Sequence, residues 1–522
     1  EAYLYYYTQQ NKTNLSGLFN WEGELYHKSE FGSWKEEFSY FYQDYDDRTE
    51  LESNLNFYYN KNERLSRINF DYDDREYFED NYWAKTYHSG FKDFFNSIRD
   101  IKRYINSLLF NLNLLYQDEV FEVNPIDFFA VEVLRVFEPD FHRFMKVRKE
   151  LFTNVQQMAA DLGNMEEKTR KADLNKGLDL VSEDYRDSTK KLISHLFPQV
   201  AKIISSDSYQ PILNRNYWGR MQNICSDKHF DLYFTLNPSS DESEVTQYEI
   251  NKFIEATNDY NEIEQIIDSY IKKNKLKAII ERIEYYSADN KTFKKNQITN
   301  LIQVFFNKID YIEVERKGMF DIGIDLMIIR IIYQLLKNRA KEENYNLLSN
   351  CIKKSKGLYG PVDFIMLETE HFKKNSIAEV PVITEKGLEA LQLICKEKID
   401  DYITKKIDEL LVNKNFLFIF YRWKEWSNKE DLEIFINKIK DSDERLISFC
   451  ESFKSQVESY SSNSDDKVIH EYIHFNRLKE FFEIDYLLDR FKSSKLSNPF
   501  IEYFYSEYEK YKNNPDTYIK YE

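Results

Sequence analysis

Glycine and proline are too scarce in this chain to punctuate a fold built on many tight turns. The sequence holds 12 Gly and 9 Pro in 522 residues, about a third of ordinary usage. A chain so poor in turn residues runs most economically in long helices, and the expected fold class is all-α. Its length suits two to four domains with well-buried cores. The 40 Tyr and 40 Phe supply aromatic core material, although mean hydropathy is −0.66.

Apolar spacing supports this reading. Phe94, Ile98, Ile101, Ile105, Leu108, Leu112 and Leu115 recur at intervals of three and four, one seam along a helix. Asn124-Pro125 reads as an N-cap followed by proline at the first helical position, and Glu138-Pro139 ends that helix, with another beginning near Asp140. Thr384 caps a helix whose apolar face is Leu388, Leu391, Cys395, Ile399, Ile403, Ile407 and Leu410. Leu326 to Leu336 is apolar nearly all round and belongs at the centre of a bundle. Residues 155 to 187 read as a solvated helix plus linker. Loops are expected at Asn237–Asp241, where a domain boundary is placed, and at Ser461–Asp466, followed by a helix from about Val468 to Phe491. Residues 1 to 90 form a poorly defined Tyr/Asp-rich segment, partly helical, with Trp34 to Tyr59 its best helical stretch. No repeat of fixed period is evident, so the helical array is irregular.

Charge and cysteine usage narrow the function classes. A net charge of −18 opposes a polyphosphate backbone unless a basic patch is concentrated locally. The run Lys272, Lys273, Lys275 and Lys277, in the middle of a long helical stretch, reads as a solvated face, and a nucleic-acid partner is not indicated. Cys225, Cys351, Cys395 and Cys450 are widely spaced, which points to reduced, partly buried thiols. The longest apolar stretches fall short of the ~20 residues of a spanning helix. The opening Glu-Ala-Tyr-Leu lacks an initiator Met and a signal-like segment, and it reads as the cut edge of a longer chain.

No Gly-rich loop ending in Lys-Ser or Lys-Thr and no strand ending in paired carboxylates is present, so Walker A and Walker B motifs are missing and the chain by itself is not expected to bind or hydrolyse a nucleotide. His470-Glu471-Tyr472-Ile473-His474 matches HExxH, which on a helix turns both imidazoles toward one zinc and leaves Glu471 as general base. The sheet that zinc peptidases place above this helix is not apparent, nor is a third ligand, and an amphipathic helix explains the same residues; a metal site is not assigned. His142 and His195 lie among apolar neighbours as core or boundary histidines. Asp44, Asp46 and Asp47, like Asp71, Asp73 and Asp74, read as surface charge. No catalytic residue is assigned.

One polar stripe remains. Arg99, Lys102, Arg103 and Asn106 fall at i, i+3, i+4 and i+7 beside the first apolar seam, so the cations share one face that can reach an anion held elsewhere.

The run Ile98-Arg99-Asp100-Ile101-Lys102-Arg103-Tyr104-Ile105-Asn106 resembles the lid-helix motif of KAP-family P-loop NTPases. Further stretches are similar to later segments of prokaryotic members, in the same order: Asn124 to Phe129, Leu134 to Pro139, His195 to Pro198, His229 to Phe234 and Tyr421 to Trp426. The resemblance covers roughly residues 91 to 440. It implies a helical lid over residues 91–235 beside an NTPase core, followed by a helical regulatory or recognition region over 236–522. It further implies ATP and Mg in the full-length protein, with Arg99, Lys102 and Arg103 serving the nucleotide. The family's link to phage exclusion implies antiviral defence, in the cytoplasm or at the inner membrane face where relatives carry membrane segments. The implied partners are the chain's own NTPase core and a protein partner or a second copy. Two alternatives stand beside this: a zinc peptidase using His470, Glu471 and His474, and a non-catalytic helical scaffold.

Overall fold

The computed structural model describes residues 3–10, 21–31, 34–45, 48–61, 64–69, 80–117, 120–153, 163–204, 215–236, 245–289, 291–313, 322–373, 380–460, 467–494 and 496–513. From Asp80 onward the protein is an all-α, multi-helix assembly, interrupted among the described residues by two short hairpins, Tyr116–Gln117 with Val120–Phe121 and Lys454–Tyr460 with Lys467–Ile473. The chain divides into two compact units, Glu1–Tyr248 and Glu249–Glu522. The loops expected at Asn237–Asp241 and Ser461–Asp466 lie outside the described residues.

The first residues depart from the helical expectation. Strands β1 (Tyr3–Gln10), β2 (Trp21–Phe31), β3 (Trp34–Tyr45), β4 (Arg48–Lys61) and β5 (Arg64–Asn69) form one antiparallel sheet in sequential order. Trp34–Tyr59, expected to be helical, therefore spans two paired strands, with Phe38 opposite Leu55 and Tyr42 opposite Leu51. Phe38, Tyr40 and Tyr42 recur with period two, the strand repeat, and aromatic residues favour a pleated surface.

In the first unit Asn124 caps the Pro125–Phe137 helix. Its side chain accepts the N–H groups of Ile126 and Asp127 at 3.0 and 3.2 Å, and the Pro125–Phe137 helix ends where Pro139 starts the next. Phe128, Val131 and Leu134 are buried against Leu108, Leu112 and Leu115 of the Ile98–Leu115 helix, in a core that also takes in Phe141, Leu192, Phe197 and Phe230. The start of the predicted seam is corrected: Ile98 is 62% exposed and Ile101 is also exposed, while Tyr104 takes their place in the core. The Gly163–Leu178 helix is not wholly solvated, since Leu174 and Leu178 are buried.

In the second unit the Ile324–Leu336 helix is buried on most sides, as its composition predicts, with Leu326 left exposed. Thr384 accepts the Gly387 N–H at 3.1 Å and starts the Glu385–Lys405 helix, which buries Leu388, Leu391, Cys395, Ile399 and Ile403. A break at Lys406 transfers Ile407 and Leu410 to a separate Ile407–Leu411 helix. The four lysines at 272–277 do not lie within one helix: Asn274 adopts φ 54° and separates the Tyr260–Lys272 and Leu276–Ser287 helices. Asn tolerates this left-handed conformation better than most residues. No helix among the described residues is long and apolar enough to cross a membrane.

Candidate functional site

The Ile98–Leu115 helix begins at Ser97, whose hydroxyl accepts the Asp100 N–H at 3.3 Å and donates to the Asp100 carboxylate at 2.8 Å. Its inner face is fixed by two kinds of contact. Tyr104, Leu108, Leu112 and Leu115 are buried apolar residues, and the Tyr104 hydroxyl donates to the Phe129 carbonyl at 3.0 Å. Ser107 and Asn111 donate to the fully buried carboxylate of Glu132 at 2.5 and 2.8 Å. Arg135 pairs with the same carboxylate at 3.0 Å and donates to the Tyr233 carbonyl at 2.9 Å. A buried carboxylate needs this many donors to offset its lost hydration.

The outer face carries the predicted stripe. Arg99, Lys102, Arg103 and Asn106 are all exposed, and the same stripe continues through Phe110, 72% exposed, and Leu114, 43% exposed. Arg99 and Lys102 have no hydrogen-bond or ion-pair partner among the described residues. Arg103 differs: its Nη2 donates to the Val136 carbonyl at 2.6 Å, and its guanidinium stands 5.6 Å from the centre of the Phe137 ring. The cation face is thus divided between two side chains free to meet an anion and one already engaged.

A second polar centre, which the sequence reading did not single out, lies at Asp127. This buried carboxylate accepts the Tyr82 hydroxyl at 2.6 Å, the Asn223 amide at 3.0 Å and the Ile224 N–H at 2.8 Å. Burial pushes it up to about 6 despite these donors. Its position three residues after Asn124 marks an acid in a first helical turn, but its side-chain partners are 45 and 96 residues away, which local pattern cannot reveal. Beside it the His195 Nε2 lies 2.9 Å from the Thr86 hydroxyl, and burial holds that imidazole down at about 4. His142 is buried against Phe234, with ring centres 4.9 Å apart, and is pushed down to about 3. His142 is thus a buried histidine and His195 a partly buried one, and burial favours the neutral imidazole in both.

The HExxH segment is not helical, contrary to the expected Val468–Phe491 helix. Lys467–Ile473 is a strand paired with Lys454–Tyr460, and helices Phe475–Leu478 and Ile484–Ser493 follow it. Positions 470 and 474 are then about 13 Å apart along the backbone, whereas the metal motif requires one helical turn. Glu471 is exposed, bonded to Gln456 at 2.9 Å and paired with Lys454 at 2.6 Å, and these partners hold it below the usual carboxylate range. His474 Nε2 lies 3.0 Å from the Ser455 hydroxyl. No group of three or more potential metal ligands converges among the described residues.

All four cysteines are buried and free, and burial pushes the Cys351 and Cys395 thiols up to about 12, which leaves them protonated and unreactive. Asp71, Asp73 and Asp74 lie outside the described residues, as do Asp46 and Asp47. No known protein family, curated protein or solved structure matches this chain.

Proposed function

We propose that the helical part of the first unit is a lid that reads the state of an anionic nucleotide held by an NTPase core, and that the helices beyond it relay that state to a recognition or effector surface. The supporting observation is the pair of exposed cations Arg99 and Lys102, unpartnered among the described residues, on a helix whose opposite face is locked by apolar burial and the Glu132 network. A rigid helix transmits a displacement at its polar face to what packs behind it. The reading places ATP and Mg on the core, leaves this chain without hydrolytic residues, and assigns the whole to prokaryotic antiviral defence in the cytoplasm.

The test is nucleotide-dependent activity of the chain joined to its NTPase core. Arg99→Ala and Lys102→Ala should lower that activity about tenfold together, as expected for loss of charge-assisted phosphate contacts, with the melting temperature unchanged. The chain alone should show no micromolar ATP binding by calorimetry. Intact activity in the folded double variant would reduce the stripe to a solvated face.

One observation favours a second reading, a non-catalytic interaction scaffold: Phe110 and Leu114 extend the stripe as exposed apolar residues. Phe110→Ser that leaves activity intact but abolishes association with a partner would favour it.

A further inference from the structure

A helix leaves its last carbonyls without internal partners. At the end of the Pro125–Phe137 helix the shortage is sharpened by Pro139, which brings no N–H of its own, and the Glu138 N–H is committed to the Leu134 carbonyl at 2.9 Å. Arg103 fills the gap at Val136, through the 2.6 Å bond from Nη2, with its guanidinium over Phe137. The residue is nevertheless exposed, and it sits within one turn of Arg99 and Lys102. Its fork therefore has an internal, neutral acceptor on one side and, on the other, two cations without partners among the described residues.

We infer that Arg103 is an exchangeable cap: an oligophosphate gathered by Arg99 and Lys102 draws the Arg103 fork away from the Val136 carbonyl, and the last turn of the Pro125–Phe137 helix loosens as a result. This rests on the anion-facing reading of the stripe and adds to it the residue that converts binding into movement. A phosphate oxygen is the stronger acceptor, since it carries a negative charge that the Val136 carbonyl lacks and the fork can engage two such oxygens at once. The loosened turn has definite neighbours. Phe137 packs against Phe94, Phe95 and Tyr185, with ring centres 5.9, 5.8 and 6.0 Å away. Glu138 accepts the Ser182 N–H at 3.1 Å and the Ser182 hydroxyl. Release at Val136 is therefore felt at the Glu183–Tyr185 turn and the Arg186–Leu196 helix behind it.

The experiment measures hydrogen exchange of the whole chain with and without inorganic tripolyphosphate, beside calorimetry of the same mixtures, with sodium chloride of equal ionic strength as control. In the wild-type chain we expect binding with a dissociation constant on the order of 1 mM, as for two or three exposed charge-assisted contacts. The Glu138 and Ser182 amides should then exchange about five-fold faster in the bound state, which corresponds to loss of one such hydrogen bond. Arg103→Ala should exchange fast at both amides without ligand and respond no further. Arg103→Lys keeps the charge without the fork over Phe137 and should behave likewise, which covers a poorly folded alanine variant. Binding that leaves both amides unchanged overturns the exchangeable cap alone. Absence of binding at several millimolar overturns the stripe reading and the cap with it.

Discussion

The carboxylate of Asp310 and the ammonium of Lys398 grip opposite sides of one turn, residues 355–358. Asp310 accepts the N–H groups of Leu358 at 2.9 Å and Tyr359 at 3.1 Å, capping from a distance the Tyr359–Phe372 helix. Lys398 donates to the carbonyls of Ile352 at 3.1 Å and Gly357 at 3.0 Å, and to Ser355, at the end of the Lys341–Lys354 helix. One residue thus serves a helix start and the other a helix end, each matched to the sign of the partial charge there.

Truncating either residue strands backbone groups in a half-buried site. Lys398→Met should cost about 2–3 kcal/mol and Asp310→Ala about 1–3 kcal/mol, the usual penalty for unsatisfied buried polar groups and a lost cap. Gly357→Ala should destabilise by a similar ~1–3 kcal/mol, because an added Cβ would stand 2.1 Å from the Phe306 carbonyl oxygen. Denaturant unfolding gives the magnitudes. Faster exchange confined to the Leu358 and Tyr359 amides in Asp310→Ala locates the effect, and unchanged exchange there would refute the capping role.

Asp127 makes stability depend on pH in a definite direction. Its folded value, pushed up to about 6 by burial, exceeds the unfolded one near 3.8. Between those values the folded chain binds the extra proton, so this group's contribution is complete below about pH 4 and is lost as pH rises through about 6. Asp127→Asn removes the titration. The stability difference between wild type and Asp127→Asn should therefore shrink by up to about 3 kcal/mol from pH 4 to pH 7. A difference independent of pH would mean that Asp127 is ionised throughout.

His195 acts in the opposite sense. Burial holds it down at about 4, so the stability it contributes is present above the unfolded value near 6.5 and is lost as pH falls through about 4. His195→Gln should flatten the acid limb of a stability profile between pH 6.5 and 4, and an unaltered slope would show that the imidazole is already accessible to solvent.

The strand at Lys467–Ile473 predicts no stoichiometric zinc in the purified chain. Glu471→Gln removes the partner of Lys454 at an exposed site, where solvent screens the pair, and should leave stability nearly unchanged. Metal analysis finding one zinc per chain that disappears in His474→Ala would require the segment to rearrange into a helix.

The helical body was legible because its periodicity is strong and local. Asn124-Pro125, Thr384 and the spacing from Leu388 to Ile403 each specify a boundary or a face without reference to the rest of the chain. Ile98 and Ile101 mark where such reasoning stops: periodicity identifies a helical face, but it cannot tell that the first turns of that helix extend past the residues available to cover them. The sheet of β1 to β5 was obscured because runs such as Tyr40-Phe41-Tyr42 and Phe57-Tyr58-Tyr59 blur the period-two alternation, and most of its pairings join residues farther apart than a helical repeat. In the stripe, the exposure of Arg99 and Lys102 follows from local spacing, whereas the engagement of Arg103 depends on Val136, 33 residues away. Asp127 and its partners were hidden for the same reason.

The Glu132 cluster supplies the last prediction, since it decides whether the stripe helix is held rigidly. Its carboxylate is fully buried and receives Ser107 and Asn111 from one helix and Arg135 from its own. Glu132→Gln keeps the shape but replaces one acceptor oxygen with an NH2 group that confronts other donors, and Arg135 loses its counter-charge. The expected loss is about 2–4 kcal/mol, because removing one member of a buried pair leaves the other uncompensated. Ser107→Ala alone should cost about 1 kcal/mol, and the same change in the Glu132→Gln background much less, so that a double-mutant cycle yields a coupling near 1 kcal/mol. Strict additivity would mean that Ser107 and Glu132 do not act together, and the Ile98–Leu115 helix would then be held by its apolar face and its remaining polar contacts without the Ser107 bond.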